Sequence, residues 1–130
     1  MSDVTRILDR GYTMIWREGR IEDALRGLPD EFEWVVPDHP DGAVRHGADS
    51  VIEFFREWAE PFADLDIDWK LQEAGPAAAL AIIDMHGRGR VSGVPTEMHF
   101  FQLWTFRDGR AVRMEMFNDL DEARRAAGLA

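Results

Sequence analysis

Asp84 and His86 could form a catalytic pair. They lie two residues apart in the apolar stretch AIIDMH, so on a β-strand their side chains point to the same side. A carboxylate that orients an imidazole makes a general base that works near neutral pH. The structural alternative is that Asp84 pairs with an arginine, either in RGRV or Arg113, because an unpaired buried charge is costly. The spacing alone leaves both interpretations open.

Gln102 is a second polar residue in apolar surroundings, within the stretch FFQLWTFRDGRAVRMEMFND at residues 100–119. This stretch predicts a β-hairpin around the Asp108-Gly109 turn. A sheet with one wet face alternates apolar and polar residues, whereas this hairpin is largely apolar on both faces. We therefore expect helices to cover one face and a partner subunit to cover the other, which predicts a homodimer.

Three early helices, five strands and a terminal helix must position these residues. Val4, Leu8 and Tyr12 recur at helical spacing after an Asp3 suited to cap the first helix, and Asp49 is placed to cap the third. The strands are predicted from FEWVVP, LDIDWKLQE, AAALAIIDMH and the two arms of the hairpin, and the terminal helix from DLDEARRAAGL. Helices gathered early and antiparallel strands late predict an α+β fold with the helices packed on one face of a curved sheet.

The composition favours one domain over residues 1–130 and excludes several functions. The net charge of −10 opposes binding to nucleic acid or to an anionic membrane. No run approaches the roughly 18 apolar residues of a membrane span, and no basic-then-apolar start predicts export, so we expect a cytoplasmic protein. Without cysteine there are no disulfides, thiol nucleophiles or thiolate metal sites. Because the four histidines lie on separate elements and no glycine-rich loop is placed to cradle phosphate, we expect neither a metal nor a cofactor.

Several motifs resemble those of the SnoaL-like polyketide cyclase family, within the nuclear transport factor two-like superfamily. They are WREGR at 16–20, GADSV at 47–51, and the tail pattern SGVPTEM…LWTFRDGRAVR…FNDLDEA…AAGL. The resemblance covers nearly the whole chain and implies a cone: a curved antiparallel sheet with three N-terminal helices on its concave face and a short C-terminal helix. It also implies a cavity between sheet and helices, usually in a dimer. The superfamily contains isomerases, hydrolases, cyclases, dehydratases and non-catalytic binding modules, so the resemblance does not specify a reaction.

The hairpin register decides which side chains face that cavity. A two-residue loop sets Arg107 opposite Arg110, whereas a three-residue loop sets Phe106 opposite Arg110 and pairs Gln102 with Met114. Resemblance to ketosteroid isomerase and to limonene epoxide hydrolase favours the longer loop. The face expected to turn inward bears Gln102, Met116 and Asn118.

Tyr12 and Gln102 are the expected oxygen-binding residues. Resemblance to ketosteroid isomerase matches Tyr12, the only tyrosine, to an oxyanion-hole tyrosine, and Gln102 to the second donor of that hole. An amide donates a hydrogen bond at any pH, so the pair could hold a carbonyl or enolate oxygen. The alternative is a core tyrosine whose hydroxyl is hydrated and a glutamine that is hydrogen-bonded to a backbone carbonyl.

The carboxylates of the relatives do not carry over to this chain. Val36 stands where ketosteroid isomerase has its base, just before Pro37, and Met116 stands where the epoxide hydrolase and the cyclases have a last-strand carboxylate. Asp38 could supply a base from the loop that follows, or it could simply shape a turn. The remaining candidate base is the Asp84–His86 pair.

The sequence thus predicts an apolar ligand pocket and two classes of function. One is a cofactor-independent enzyme that enolises, cyclises or dehydrates a small hydrophobic carbonyl compound, as an isomerase, cyclase or lyase. The other is a protein of the same fold that binds a hydrophobic ligand without catalysis, or serves as a dimeric scaffold. Besides Tyr12 and Gln102, the expected ligand-binding residues are Phe54, Phe55, Trp58, Met98, Phe100, Trp104, Met114, Met116 and Asn118.

Overall fold

A computed structural model describes residues 2–36 and 44–129 and confirms the α+β fold with a curved sheet. The elements are α1 (Asp3–Trp16), α2 (Ile21–Leu25), β1 (Glu33–Val35), β2 (Val44–His46), α3 (Gly47–Ala59), β3 (Phe62–Glu73), β4 (Ala78–Gly89), β5 (Pro95–Arg107), β6 (Arg110–Phe117) and α4 (Leu120–Ala126). The strand β2 was not predicted, because three residues are too few to show an alternating pattern.

The six strands form one sheet in the order β2-β1-β6-β5-β4-β3. All neighbouring pairs are antiparallel except β1 and β6, which run parallel. The resemblance implied a curved antiparallel sheet, and the β1–β6 pair is the exception. No short turn joins β1 to β6, so a hairpin does not dictate their relative direction. β1 therefore brings residues from the first third of the chain beside the last strand.

The helix starts differ from the predicted caps. Ser2 caps α1, because its Oγ accepts a hydrogen bond from the Thr5 backbone N–H at 3.2 Å, and Asp3 lies in the first turn instead. α3 begins at Gly47, so Asp49 lies in its first turn, where a negative charge favours the helix dipole. Asp119 caps α4, because its side chain accepts a hydrogen bond from the Asp121 backbone N–H.

Arg17 fixes the end of α1 against the edge strand β3. Its guanidinium lies 5.0 Å from the Trp69 ring centroid, donates to the Ile67 carbonyl at 2.8 Å and pairs with Asp66. The buried stripe of the helix, which includes Leu8 and Tyr12, is thereby held over the concave face of the sheet.

The predicted loop and pairing of the β5–β6 hairpin are wrong, although the predicted faces are right. Arg107 pairs with Arg110 across a two-residue turn in which Asp108 (φ 53°) and Gly109 (φ 77°) are both left-handed, as this type of turn requires. A bulge at Val112 then adds one residue to β6. Beyond the bulge, from Thr105 back along β5, the short loop and the bulge together shift each pair by two positions relative to the prediction, so the same side chains stay on the same face. The observed pairs are Gln102 with Met116, Trp104 with Met114, and Leu103 with Glu115.

The opposite face of the sheet, called the outer face below, is covered at one end by α4. Leu80 is fully buried there, and Arg124 of α4 donates to Gln72 on β3 at 3.3 Å. Further along this face, four apolar side chains are half-buried: Ile82, Phe101, Leu103 and Phe117. Among the described residues, no helix is long and apolar enough to cross a membrane.

Candidate functional site

A cavity of about 230 Å³ lies between the concave face of the sheet and the helices. Its walls are mostly aromatic and aliphatic. Of the residues predicted to surround a ligand, those in the wall are Tyr12, Phe54, Phe55, Trp58, Phe100, Gln102, Trp104, Met116 and Asn118. Gln102 is 6% exposed, whereas Asn118 follows the last residue of β6 and is exposed.

Two predicted ligand-binding residues lie outside this wall. Met114 is fully buried in the core beside Trp34 and Trp104, its neighbours across the sheet. Met98 is half-buried against the core and pairs with Met85 on β4. Both point inward as expected. The concave face is larger than the cavity floor, so inward direction alone does not make a residue part of the wall.

The wall also contains residues that the sequence reasoning did not name: Ile15, Trp16, Leu25, Trp34, Val36, Ile67, Ile83 and Met85. A signal existed for Ile67, since the alternation in LDIDWKLQE puts it on the apolar face of β3. Trp34 and Val36 reach the cavity because β1 pairs in parallel with β6, and no local sequence pattern predicts this pairing.

Three polar side chains form a directed hydrogen-bond chain at the cavity wall. The Trp104 Nε1–H donates to the Tyr12 hydroxyl at 2.9 Å, and this hydroxyl donates to the Gln102 Oε1 at 2.5 Å. An indole nitrogen can only donate, so the hydroxyl must accept from Trp104 and use its one proton on Gln102. This fixes the orientation of the amide. Within the described part of the chain, the Gln102 Nε2 group is bonded to no acceptor, and Gln102 lines the cavity.

Tyr12 is therefore held as a neutral structural donor. Its ring is buried, stacks on Trp69 with centroids 5.6 Å apart and meets Trp104 edge-on at 6.4 Å. Burial raises the pKa of the Tyr12 hydroxyl well above its usual range, and the hydrogen bond from Trp104 opposes this only in part. The structure thus brings Tyr12 and Gln102 together as predicted from the resemblance. Tyr12 acts on Gln102 and does not present its proton to the cavity.

Tyr12 is the only ionisable residue among the described residues of the wall. Asp38, one of the candidate bases, lies outside the described residues. Its nearest described neighbour in the sequence is Val36, which is part of the wall. The described wall can exclude water and offer a hydrogen bond, and it supplies no carboxylate or imidazole to move a proton.

Asp84 and His86 lie on the outer face, away from the cavity. Asp84 Oδ1 is 2.5 Å from the Nδ1 of His99, its direct neighbour on β5, so the carboxylate orients His99 and not His86. This bond raises the pKa of His99, and the charges of Asp84 and Glu97 add to the shift. His86 is exposed and lies opposite Glu97. Asp84 does have a partner, as the structural alternative required, but that partner is a histidine where an arginine was expected.

No group of three or more candidate metal ligands comes together among residues 2–36 and 44–129. On the outer face, Asp68, Asp84 and His99 are direct neighbours across β3, β4 and β5, whereas His86 lies in the next row, between Asp66 and Glu97.

The element order and the sheet topology define an NTF2-like fold. The family model of the SnoaL-like domain matches residues 8–114, and the chain belongs to this family. No curated protein matches the sequence.

Solved structures confirm the fold over nearly the full length. An NTF2-like protein of unknown function from Burkholderia pseudomallei K96243 is 25% identical, with a TM-score of 0.78 over 96% of this chain and 97% of that one. TerC, co-crystallised with polyporic acid, is 22% identical, with a TM-score of 0.76 over 98% and 99%. Rv0760c from Mycobacterium tuberculosis, in complex with estradiol-17β-hemisuccinate, is 16% identical, with a TM-score of 0.73 over 93% and 97%.

Proposed function

We propose that this SnoaL-like protein binds a small, flat, hydrophobic molecule through one accepting oxygen, such as a carbonyl, held by the Gln102 amide. The observation that carries the proposal is the chain of donors from Trp104 through Tyr12 to Gln102. Each hydrogen bond in such a series polarises the next, and this series of hydrogen bonds ends in the N–H donors of the buried Gln102 amide. A buried donor that faces an apolar cavity favours a ligand that brings an acceptor.

The cavity dimensions favour a ligand of one or two rings. A volume of about 230 Å³ is below the range of about 300–1,000 Å³ typical of drug-sized pockets. Aromatic walls such as Phe54, Phe100 and Trp58 favour a flat apolar body, since burial contributes about 25 cal/mol per Å² of apolar surface. The complexes of TerC with polyporic acid and of Rv0760c with a steroid ester support a ring-containing, oxygen-bearing ligand class.

Acetophenone and ethylbenzene form a matched probe pair, because they share the ring and differ in the carbonyl oxygen. We expect wild-type protein to bind acetophenone more tightly than ethylbenzene in a calorimetric or tryptophan-fluorescence titration. Gln102→Met keeps the side-chain length and removes the amide. It should weaken acetophenone binding about tenfold, the equivalent of one hydrogen bond, and leave ethylbenzene unaffected. Equal acetophenone affinity in the two proteins would contradict the proposal.

A catalytic role is the second candidate, and the position of Val36 in the cavity wall favours it. Asp38 follows two residues later in the sequence and is the base we propose, because the described wall contains no carboxylate. In this reaction the carboxylate takes a proton from the carbon next to a carbonyl, and the Gln102 amide holds the enolate oxygen. Return of a proton to another carbon gives isomerisation, while attack of the enolate on a second carbonyl gives cyclisation. Asp84 and His86 are not part of this proposal, because both lie on the outer face and Asp84 is bonded to His99.

Deuterium exchange tests this catalytic role without knowledge of the substrate. In D₂O, an active enzyme should replace the methyl protons of acetophenone with deuterium, which NMR detects directly. Asp38→Asn should abolish the exchange, whereas Asp41→Asn, three residues later in the sequence, should retain it. Binding of acetophenone without exchange would identify a binding protein, and exchange that survives Asp38→Asn would eliminate Asp38 as the base.

We also propose a homodimer formed through the outer face. Its half-buried apolar side chains, including Phe101 and Phe117, would be covered by the same surface of a second copy. Phe101→Arg should then convert the dimer to a monomer in light scattering. A wild-type protein that is monomeric at micromolar concentration would refute this arrangement. A cytoplasmic location and the absence of a nucleic-acid partner stay predictions from the sequence.

A further inference from the structure

A second, smaller apolar cavity, called the annex below, lies between α1, α2 and the turn end of the β5–β6 hairpin. Its volume is about 100 Å³. Apolar and aromatic side chains of α1 and of the α2 region form most of its wall, and Phe106 and Ala111 of the hairpin complete it. Ile7, which also lines the annex, is 46% exposed, so the annex reaches the protein surface there.

The annex and the larger ligand cavity share a boundary, called the partition below. Among the described residues, four line both cavities, so the partition is one side chain thick at each of them: Tyr12, Ile15, Leu25 and Trp104. Tyr12 and Trp104 are fixed by their hydrogen bond at 2.9 Å, and Ile15 is half-buried. Leu25 is 5% exposed and supplies the buried aliphatic part of the partition.

Contacts around the end of α2 hold Leu25 in place. Leu25 is the last residue of this helix, and Arg110 of β6 donates a hydrogen bond at 3.0 Å to the carbonyl of Gly27 just beyond it. Arg26, next to Leu25 in the sequence, pairs with Asp49 on α3. These contacts connect the end of α2 to two other elements, so we expect Leu25 to keep its position when a ligand binds.

The annex exists because a small residue lies on the side of α1 that faces it. Gly11 is four residues after Ile7 and four before Ile15, so the three lie along one side of the helix. A Cβ at Gly11 would meet nothing within 4 Å apart from its chain neighbours and its own helix backbone. Its φ is not left-handed, so neither close packing nor backbone geometry requires glycine here. A larger side chain at Gly11 would therefore fill part of the annex.

The partition lies next to the proposed oxygen site. The Tyr12 hydroxyl donates to the Gln102 Oε1 at 2.5 Å, and Trp104 is two residues from Gln102 on the same face of β5. A ketone whose oxygen binds the Gln102 amide carries two substituents on its carbonyl carbon. One of these substituents must therefore lie near the partition, where Leu25 limits its length.

We propose that Leu25 is a specificity-determining residue, which closes the ligand cavity toward the annex and restricts the ligand to compact aryl ketones. A compact ring compound fits on the cavity side of Leu25, whereas a long alkyl chain would have to displace the leucine side chain. The protein thereby discriminates between ligands by chain length, through a steric barrier. This inference rests on the proposed function, because it requires a ligand bound at Gln102 in the same cavity.

Acetophenone and octanophenone measure this discrimination, because they share the ring and the carbonyl and differ in the alkyl chain. The readout is the ratio of their dissociation constants, measured by calorimetry in wild-type protein, Leu25→Ala and Leu28→Ala. Leu25→Ala removes three carbon atoms from the partition and should shift this ratio about tenfold or more in favour of octanophenone, since each buried methylene contributes about fourfold. Leu28 lines the annex and not the ligand cavity, so Leu28→Ala removes as many carbon atoms and should leave the ratio unchanged. An unchanged ratio in Leu25→Ala, or an equal shift in Leu28→Ala, would overturn the inference.

Leu25→Val covers the case in which Leu25→Ala does not fold. It removes one carbon atom, disturbs the packing less, and should shift the ratio in the same direction by about fourfold. A folded Leu25→Val protein with the wild-type ratio would contradict the role of Leu25.

Gly11→Leu tests whether the alkyl chain enters the annex. Alone, this change should leave acetophenone binding unaltered, because Gly11 lines the annex and not the ligand cavity. Combined with Leu25→Ala, it should reverse the shift toward octanophenone, because the new side chain occupies the space that the chain would enter. A shift that persists in the double variant would mean that the chain lies elsewhere, and the inference would be wrong.

The two hypotheses fail in different ways. If Gln102→Met leaves the affinity for acetophenone unchanged, the proposed function fails, whatever Leu25 does. If acetophenone binding depends on Gln102 and the ratio does not respond to Leu25, only the further inference fails. If neither ketone binds to the wild-type protein, both fail.

Discussion

Gln102 and His99 lie three residues apart on β5 and face opposite sides of the sheet. Gln102 is buried, and the Tyr12 hydroxyl fixes its amide in one orientation. His99 is exposed, and its partner Asp84 sits on the neighbouring strand in contact with solvent. Position in the fold, more than residue type, therefore decides whether a polar side chain is buried and held in one orientation. A neutral amide buried beside an apolar cavity is held in one orientation, whereas an exposed ion pair is screened by solvent and contributes little.

The largest expected effect is on the free energy of unfolding, from alanine substitutions at Ile83 and Ile82. These adjacent residues on β4 face opposite sides of the sheet. Ile83 is 1% exposed and faces the cavity, whereas Ile82 is half-buried on the outer face. Ile83→Ala should lower the free energy of unfolding by about 3 kcal/mol, through lost burial and a larger void. Ile82→Ala should cost about 1 kcal/mol in a monomer. Urea denaturation measures both, and equal losses would show that the two faces are equally buried in solution.

Tyr12→Phe is expected to have the next largest effect, because it breaks the hydrogen-bond chain at its centre. The change leaves both the Trp104 N–H and the Gln102 Oε1 without a partner. The free energy of unfolding should fall by about 2 kcal/mol, in the range for unsatisfied buried groups. The Gln102 amide should also become free to turn. Acetophenone should then lose its advantage over ethylbenzene, and a selectivity unchanged in Tyr12→Phe would show that the relay does not orient the amide.

The pKa of Tyr12 predicts a loss of stability in alkali. Burial raises this pKa in the folded protein above the ordinary value of 10.0, so the folded state keeps a proton that the unfolded state loses. The free energy of unfolding should therefore be constant with respect to this group below about pH 10 and fall as the pH rises further. Because Tyr12 is the only tyrosine, tyrosinate absorbance should appear only on unfolding. Tyr12→Phe should remove this part of the alkaline decline, and a tyrosinate signal from folded protein near pH 10 would contradict the burial.

Local patterns could predict much of the fold and of the concave face. The periodicity around Tyr12 and the alternation around Ile67 are visible in the sequence, and the family motifs supply the topology that joins them. The β5–β6 pairing could not be predicted, because a short turn and a bulge at Val112 produce the same faces as a longer loop.

Contacts between distant segments were also hidden. The Asp84–His99 pair depends on the register of β4 against β5, and the place of Leu25 between two cavities depends on how α2 packs against α1. Spacing along one strand suggested His86 for Asp84, whereas the cross-strand neighbour is nearer. Side chains that share a strand are about 7 Å apart at positions i and i+2, and direct cross-strand neighbours are about 5 Å apart.

Asp84→Asn should give the smallest effect and completes the comparison on the outer face. The hydrogen bond that the His99 ring N–H donates to Asp84 raises the pKa of His99, so the stabilisation from this pair is full below the ordinary histidine pKa and disappears as the pH rises through the raised value. Asp84→Asn should lower the titration midpoint of His99 in a proton NMR titration and leave acetophenone binding unchanged, because the sheet separates this pair from the cavity. His86→Gln, on the same face and outside the pair, is the control and should leave Asp84 paired with His99. A change in ligand affinity on Asp84→Asn would mean that the outer face communicates with the cavity, and the separation of roles between His99 and Gln102 would then be wrong.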